Sequence, residues 1–141
     1  MLDNNPVTEL IYVHSKMMIV DDNFLLIGSA NINDRSLLGK WDSEINLVID
    51  DDDKVPVKLN GREILVSRLV HEMRMNIFEE HSGAVGDSRL VDPLSDEFAE
   101  VWDKLATNNT MLYREVFRWY PDDLIRTIKE FKEFENKKQL D

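Results

Sequence analysis

The sequence predicts an α/β fold. Two observations predict it: apolar runs of strand length fill the first fifty residues, and apolar residues recur at helical spacing through most of the remainder. Leu10-Ile11-Tyr12-Val13, Met17-Met18-Ile19-Val20, Phe24-Leu25-Leu26-Ile27 and Ile45-Asn46-Leu47-Val48-Ile49 read as four strands. Asp21-Asp22-Asn23 is a tight-turn signal, so the second and third strands should form a hairpin. Runs this apolar suggest a sheet of four or five strands buried on both faces beneath helices.

Asp50 to Gly61, with Pro56 and Asn60-Gly61, reads as a solvated acidic loop. It lacks the spaced ligands, central Gly and closing Glu of an EF-hand calcium loop. Leu65, Leu69, Met73 and Ile77, widened by Val66, Val70 and Phe78, mark a first helix, which Gly83-Ala84-Val85-Gly86 ends. Asp92-Pro93-Leu94-Ser95 opens a second helix, with Phe98, Val101, Trp102 and Leu105 on one face. Asn108-Asn109-Thr110 should cap a third, and Pro121-Asp122-Asp123 should start a fourth. The aromatic residues of these helices read as core rather than as a ligand box.

Composition narrows the function classes. The 141 residues suffice for one compact domain, and no apolar run approaches the roughly 20 residues of a membrane-spanning helix. The first six residues, Met1 to Pro6, lack the layout of a signal peptide. The absence of cysteine excludes disulfides and thiol chemistry and fits a cytoplasmic protein. A net charge of −11 disfavours nucleic acid as a partner, so an anionic substrate would have to be held by a few placed residues.

Those residues stand in one stretch, His14-Ser15-Lys16 through Asp21 to Gly28-Ser29-Ala30-Asn31, with the pattern H-x-K-x4-D-x6-G-S-x-N. Its six fixed positions make a chance match on the order of 10⁻⁸ per starting point. Two residues apart on a strand, His14 and Lys16 should share a face. An ammonium neutralises phosphate oxygens, and an imidazole titrates near neutrality and can attack phosphorus or carry a proton. Gly28 permits close backbone approach, and Ser29 and Asn31 offer further donors to phosphate. Pointing into an apolar sheet, Lys16 would need a partner, which favours a phosphate site over a structural pair.

A working imidazole needs an orienting group. Asp21 lies roughly 23 Å along the same extended strand and should instead fix the turn. Glu44, opening the fourth strand, is the preferred orienter. Ser29 as a triad nucleophile lacks a G-x-S-x-G elbow, and His14, His71 and His81 lack the spacing of a zinc site. His71 and His81 read as surface or capping residues.

From Thr8 through Lys40, and on through Asp42-Ser43-Glu44, the sequence closely resembles the second HKD motif of the phospholipase D family. Asn33-Asp34-Arg35-Ser36 and Gly39-Lys40 look like its animal and fungal branch. A looser likeness continues through Asp92-Pro93, Phe98, Trp102, Asn108, Tyr113, Phe117 and Pro121.

The resemblance implies the C-terminal half of a catalytic sandwich, a mixed sheet with packed helices. Residues 1–50 would form the second HKD strand region and 51–141 the helical part of the same half-domain. It also implies hydrolysis of phosphatidylcholine to phosphatidic acid and choline through a phosphohistidine, with His14 as acid–base partner. Under it the candidate catalytic set is His14, Lys16, Asp21 and Glu44, with Lys16, Ser29 and Asn31 on the phosphate.

No catalytic metal is implied, a phosphoinositide activator is, and the expected location is cytoplasmic and peripheral to a membrane. The partner would be the other HKD half, since no second H-x-K-x4-D occurs in these residues and the chain alone is expected to be inactive. Trp41 stands where the family usually carries Arg. Two rival readings are a homodimeric HKD nuclease or phosphodiesterase and a non-catalytic interaction module. Sheet edges left open predict poor solubility.

Overall fold

The computed structural model describes residues 12–117 and 124–138. Strands β1 (Lys16–Val20), β2 (Phe24–Gly28) and β3 (Asn46–Asp50) form an antiparallel sheet in that order. A short helix α1 (Asp34–Leu37) lies in the long β2–β3 connection. Strands β4 (Lys54–Leu59) and β5 (Arg62–Ser67) form a separate hairpin. Helices α2 (Arg68–Ser82), α3 (Asp96–Phe117) and α4 (Ile128–Lys138) follow, with a 3₁₀ turn at Ser88–Leu90. The α/β class is as expected, and every strand pair among the described residues is antiparallel. The described residues up to Thr107 form one compact unit; those from Asn108 onward belong to a second.

The first hairpin turns on Asp21 and Asp22, both at φ 51°, and Asn23 N–H donates to the Val20 carbonyl at 3.0 Å. Two successive left-handed residues match the twist of the strands they join, and Asp tolerates that conformation better than most residues. The first predicted strand does not form in the part that is described. Leu10 and Ile11 lie outside the described residues, and Tyr12 and Val13 are exposed and outside any strand.

The acidic loop expected over Asp50 to Gly61 is instead largely the β4 strand and its turn. Asn60 (φ 51°) and Gly61 (φ 70°) make the two-residue turn that Asn-Gly favours between strands. Pro56 is tolerated because a two-stranded ribbon consists of edges alone. The Asp92 carboxylate braces the turn from outside, accepting from the N–H groups of Asn60 (2.9 Å) and Gly61 (3.2 Å).

The helical stripe expected from Leu65 begins too early. Leu65 lies in β5 and is exposed, as is Leu69, while Val66 and Val70 are fully buried. The switch from strand to helix occurs at Ser67, whose hydroxyl accepts from Val70 N–H as the N-cap of α2. Gly83 ends α2 at φ 67°, as expected. Asn108-Asn109-Thr110 does not cap a third helix but lies inside α3. No Gly or Pro interrupts Asp96–Phe117, and residues of middling propensity cost too little to break a packed helix. The expected start at Pro121 lies outside the described residues. The described start of α4 is a capping box, in which Thr127 Oγ1 accepts from Glu130 N–H and Glu130 accepts from Thr127 N–H.

The sheet is covered on one face, and there only in part, since Leu47 on that face is exposed. Ile19 and Leu25 pack inward, and α2 brings Ile77 and Phe78 to a cavity of about 330 Å³ that Met17 and Ile19 also line. On the other face Met18, Val20 and Val48 are exposed, which corrects the expectation of burial on both sides. Phe78, Phe98 and Trp102 pack on one another at 5.0–5.3 Å between ring centroids, joining α2 to the first turns of α3. No helix among the described residues is long and apolar enough to cross a membrane.

The turn of the first hairpin is tied into α2 by a buried ion pair. Asp22 is 3% exposed, and its carboxylate receives Arg74 Nε and Nη2, each at 2.7 Å, with His71 Nδ1 at 2.8 Å. Arg74 also donates to the carbonyls of Leu90 (3.2 Å) and Val91 (2.9 Å). His71 is therefore a member of the core network rather than a surface group. His81 caps its own helix at the Ile77 carbonyl, as expected.

Candidate active site

The two hairpin registers bring the motif's residues to one end of the sheet. Lys16 pairs with Gly28, and Gly28 pairs with Asn46. Directly opposed residues of antiparallel strands share a face, so Lys16 and Asn46 stand on the same side with Gly28 between them. That side is the one carrying Met18, Val20 and Val48, the open face of the sheet.

Gly28 is required by crowding. A Cβ at this position would fall 2.2 Å from Asn46 Oδ1, 2.4 Å from the Ile45 carbonyl oxygen and 2.7 Å from Asn46 Cα. Two of these neighbours belong to the backbone of the β3 edge and cannot rotate away. Gly28→Ala is therefore expected to destabilise the chain by about 1–3 kcal/mol, as overpacking does, and to displace the loop that follows. Urea unfolding measures the first effect, and a loss within error of zero would show that β3 can retreat.

Ser29 pins the next residue to β3. Its N–H donates to the Ile45 carbonyl at 2.9 Å, and its hydroxyl accepts from Ile45 N–H at 3.0 Å. Ser36 does the same for the far side of the loop, its Oγ accepting from Asn31 N–H at 3.0 Å. Asn33 caps α1 by accepting from Ser36 N–H, and Arg35 pairs with Asp42 at 2.9 Å. The Asn31 side chain is exposed and makes no hydrogen bond among the described residues.

Glu44 lies two residues before β3 and is half-buried. The Ser29 hydroxyl and then the Ser36 hydroxyl stabilise its charged form, and Lys16 adds a smaller attraction. These outweigh burial and the repulsion of Asp42, so its carboxyl is held below the usual value. Glu44 is thus ionised at neutral pH, held mainly by the two serine hydroxyls.

His14 sits less deeply than the alternating-strand picture required. β1 begins at Lys16, so His14 precedes the strand and is exposed. Its ring stacks on Tyr12 at 5.9 Å between centroids and makes no hydrogen bond among the described residues, to Glu44 or to any other group. Lys16 is half-exposed rather than buried, and its ammonium donates to the His14 carbonyl at 2.6 Å. The partner that Lys16 needs is, in this structure, the backbone of the motif itself.

Asp21 is exposed in the β1–β2 turn and far along β1 from His14, consistent with a role in the turn. The carboxylate that carries the structural load there is the neighbouring Asp22. Sequence reasoning also missed Ser36 and Asn46. Asn46 left one signal, as the lone polar residue within an apolar strand run, whereas Ser36 stood only as part of the family-like Asn33-Asp34-Arg35-Ser36 run.

The Phospholipase D family model matches residues 5–121. Phospholipase D1 of Mus musculus is 44% identical over 139 residues, which cover 96% of this chain and 13% of the mouse protein. Phospholipase D2 of Bos taurus is 42% identical over 135 residues, covering 94% of this chain and 14% of that protein. Phospholipase D zeta 1 of Arabidopsis thaliana is 43% identical over 135 residues, covering 93% and 12% respectively. The chain thus spans only 12–14% of the length of these relatives. With a matched motif whose lysine, glycine and serine meet at one end of a three-stranded sheet, the chain belongs to the phospholipase D family.

Proposed function

We propose that this chain supplies the second HKD motif of a phospholipase D that hydrolyses phosphatidylcholine to phosphatidic acid and choline. The observation that carries the reading is the polar end of the sheet, where Lys16, Gly28, Ser29 and Glu44 converge while His14 stands beside them with a free ring. Lys16, Ser29 and Asn31 would bind the phosphate oxygens, placing donors where charge develops in the transition state. A histidine from another HKD motif would attack phosphorus and form a P–N bond as the P–O bond to choline breaks. His14, protonated, would give its proton to the departing choline oxygen. It would then take a proton from water as that water attacks the phosphohistidine, releasing phosphatidic acid and restoring the first histidine. Glu44, ionised and close to the motif, would receive the other ring N–H of His14 once the imidazole turns inward.

The unoriented imidazole and the open sheet face favour a site that is completed by a second HKD half, so the chain alone is expected to be inactive. The whole enzyme would act at a membrane surface from the cytoplasmic side, with phosphoinositide as activator.

The test is choline release from phosphatidylcholine vesicles by the full-length protein, run beside nicking of plasmid DNA. Choline release without nicking supports the reading. Nicking without choline release would replace it with a nuclease.

A further inference from the structure

We infer that the β2–β3 loop, residues 30–43, docks on a zwitterionic lipid surface with Ile32 and Trp41 entering the interface, a deepening that rests on the reading of this end of the sheet as a phosphodiester site. The loop leaves the sheet at the end where Lys16, Gly28 and Ser29 meet. It begins beside Ser29, carries Asn31 and leads into Glu44, so it borders the proposed site along its whole length. A headgroup anchored in a bilayer stays near the bilayer surface, and whatever borders the site must come to that surface.

The loop leaves its apolar side chains outside. Ile32 is 98% and Trp41 71% exposed, and Leu37, Leu38 and, just beyond the loop, Ile45 are exposed as well. Its polar groups are taken up by one another. Arg35 pairs with Asp42, Asn33 accepts from Ser36 N–H, and the Ser36 hydroxyl accepts from Asn31 N–H. Gly39 takes φ 66°, and apart from its chain neighbours no atom lies within 4 Å of where its Cβ would stand, so the chain turns there in open space.

Charge selects the partner. Asp34, Arg35, Lys40 and Asp42 are the charged residues of the loop, two of each sign, so the loop is neutral within a chain of net charge −11. An acidic surface is repelled by anionic partners, whereas a neutral apolar loop meets no such barrier at zwitterionic headgroups. Indole favours the boundary between headgroups and acyl chains, and a lysine beside it can lay its stem on apolar surface with the ammonium in water. On the same reading the other HKD half covers the open sheet face, which leaves the loop to the membrane.

The test compares the full-length protein with Ile32→Ser, Trp41→Ser and the double variant. Cosedimentation with vesicles of phosphatidylcholine alone should weaken about tenfold for each substitution, the scale of one large apolar side chain returned to water. Choline release from those vesicles should fall in proportion, through a raised apparent KM. Release from a short-chain phosphatidylcholine below its micelle concentration should stay within about twofold, because the site itself is untouched. Both side chains are exposed, so melting temperatures should not move.

Equal vesicle binding by the double variant and the unmodified protein would overturn the inference, and so would failure of the unmodified protein to bind. So would an equal loss on the short-chain substrate with a lowered melting temperature, which would place the loop against another part of the protein. Absence of choline release from either substrate would remove the phospholipase reading but not this test, since vesicle binding needs no turnover. Binding that depends on Ile32 and Trp41 would then still support the docking loop, and binding that does not would overturn it.

Discussion

Asp22→Ala is expected to destabilise the chain by about 3–5 kcal/mol, because it strands a buried guanidinium. Arg74 is 6% exposed, and its bidentate partner is the Asp22 carboxylate. Without it the largely buried charge keeps the carbonyls of Leu90 and Val91 and weaker contacts to Met75 Sδ and His71 Nδ1, none of them an anion. The effect is amplified by what the pair joins. The Asp22 carbonyl also accepts from Ser67 N–H at 3.0 Å, so the same residue secures the first hairpin to the start of α2. Urea unfolding of the two proteins at pH 7 measures the difference. A loss below about 1 kcal/mol would show that Arg74 finds water or another acceptor.

The pH dependence of the same pair has a definite sign. Burial alone would raise the Asp22 carboxyl, but the Arg74 bond and then the His71 bond and their charges bring it below the ordinary value. A lowered folded-state value means that the folded chain holds the ionised form more tightly than the unfolded chain does. The stabilisation is therefore fully present above the ordinary carboxylate pKa of about 4 and is lost as the pH falls through the lowered one. Unfolding midpoints should drop below about pH 4, and Asp22→Ala should remove that component of the slope.

His14→Ala in the full-length enzyme is expected to lower kcat for phosphatidylcholine by about 10⁴-fold, the upper range for a positioned acid–base group. On the proposed reading Lys16, Ser29 and Asn31 would still hold the phosphate, so KM should change little. That split distinguishes loss of the imidazole from collapse of the site. The His14 ring is exposed and its one ring contact is the stack on Tyr12, so its removal should leave the unfolding midpoint almost unchanged. Retained turnover in a folded His14→Ala protein would refute its role and, with it, the proposed division of labour between two HKD motifs.

Much of the site was legible before any coordinates, because its residues are close in sequence and their spacing is fixed by a hairpin. The Asp21-Asp22-Asn23 turn sets the register, and the register sets Lys16 against Gly28. The helix ends at Ser95 and Gly83 were legible for the same reason, since capping is a local contest among a few residues. Elements that turn on competition between nearby segments were misread. Leu65 fits a helical stripe as well as it fits a strand, and pairing with Pro56 across the Asn60-Gly61 turn decided for the strand. Asn108-Asn109-Thr110 carries the chemistry of a cap but sits within an uninterrupted helix.

By itself the sequence determined the α/β class, the family and the clustering of the motif residues, because each is written in local spacing and residue chemistry. Only the tertiary structure decided that Asp22, not Asp21, is the buried acid, since the two differ by which side of a turn meets Arg74 from 52 residues away. It likewise brought Asn46 over Gly28 and left one face of the sheet uncovered. These depend on which distant strands and helices come together, and no run of neighbouring residues encodes that choice.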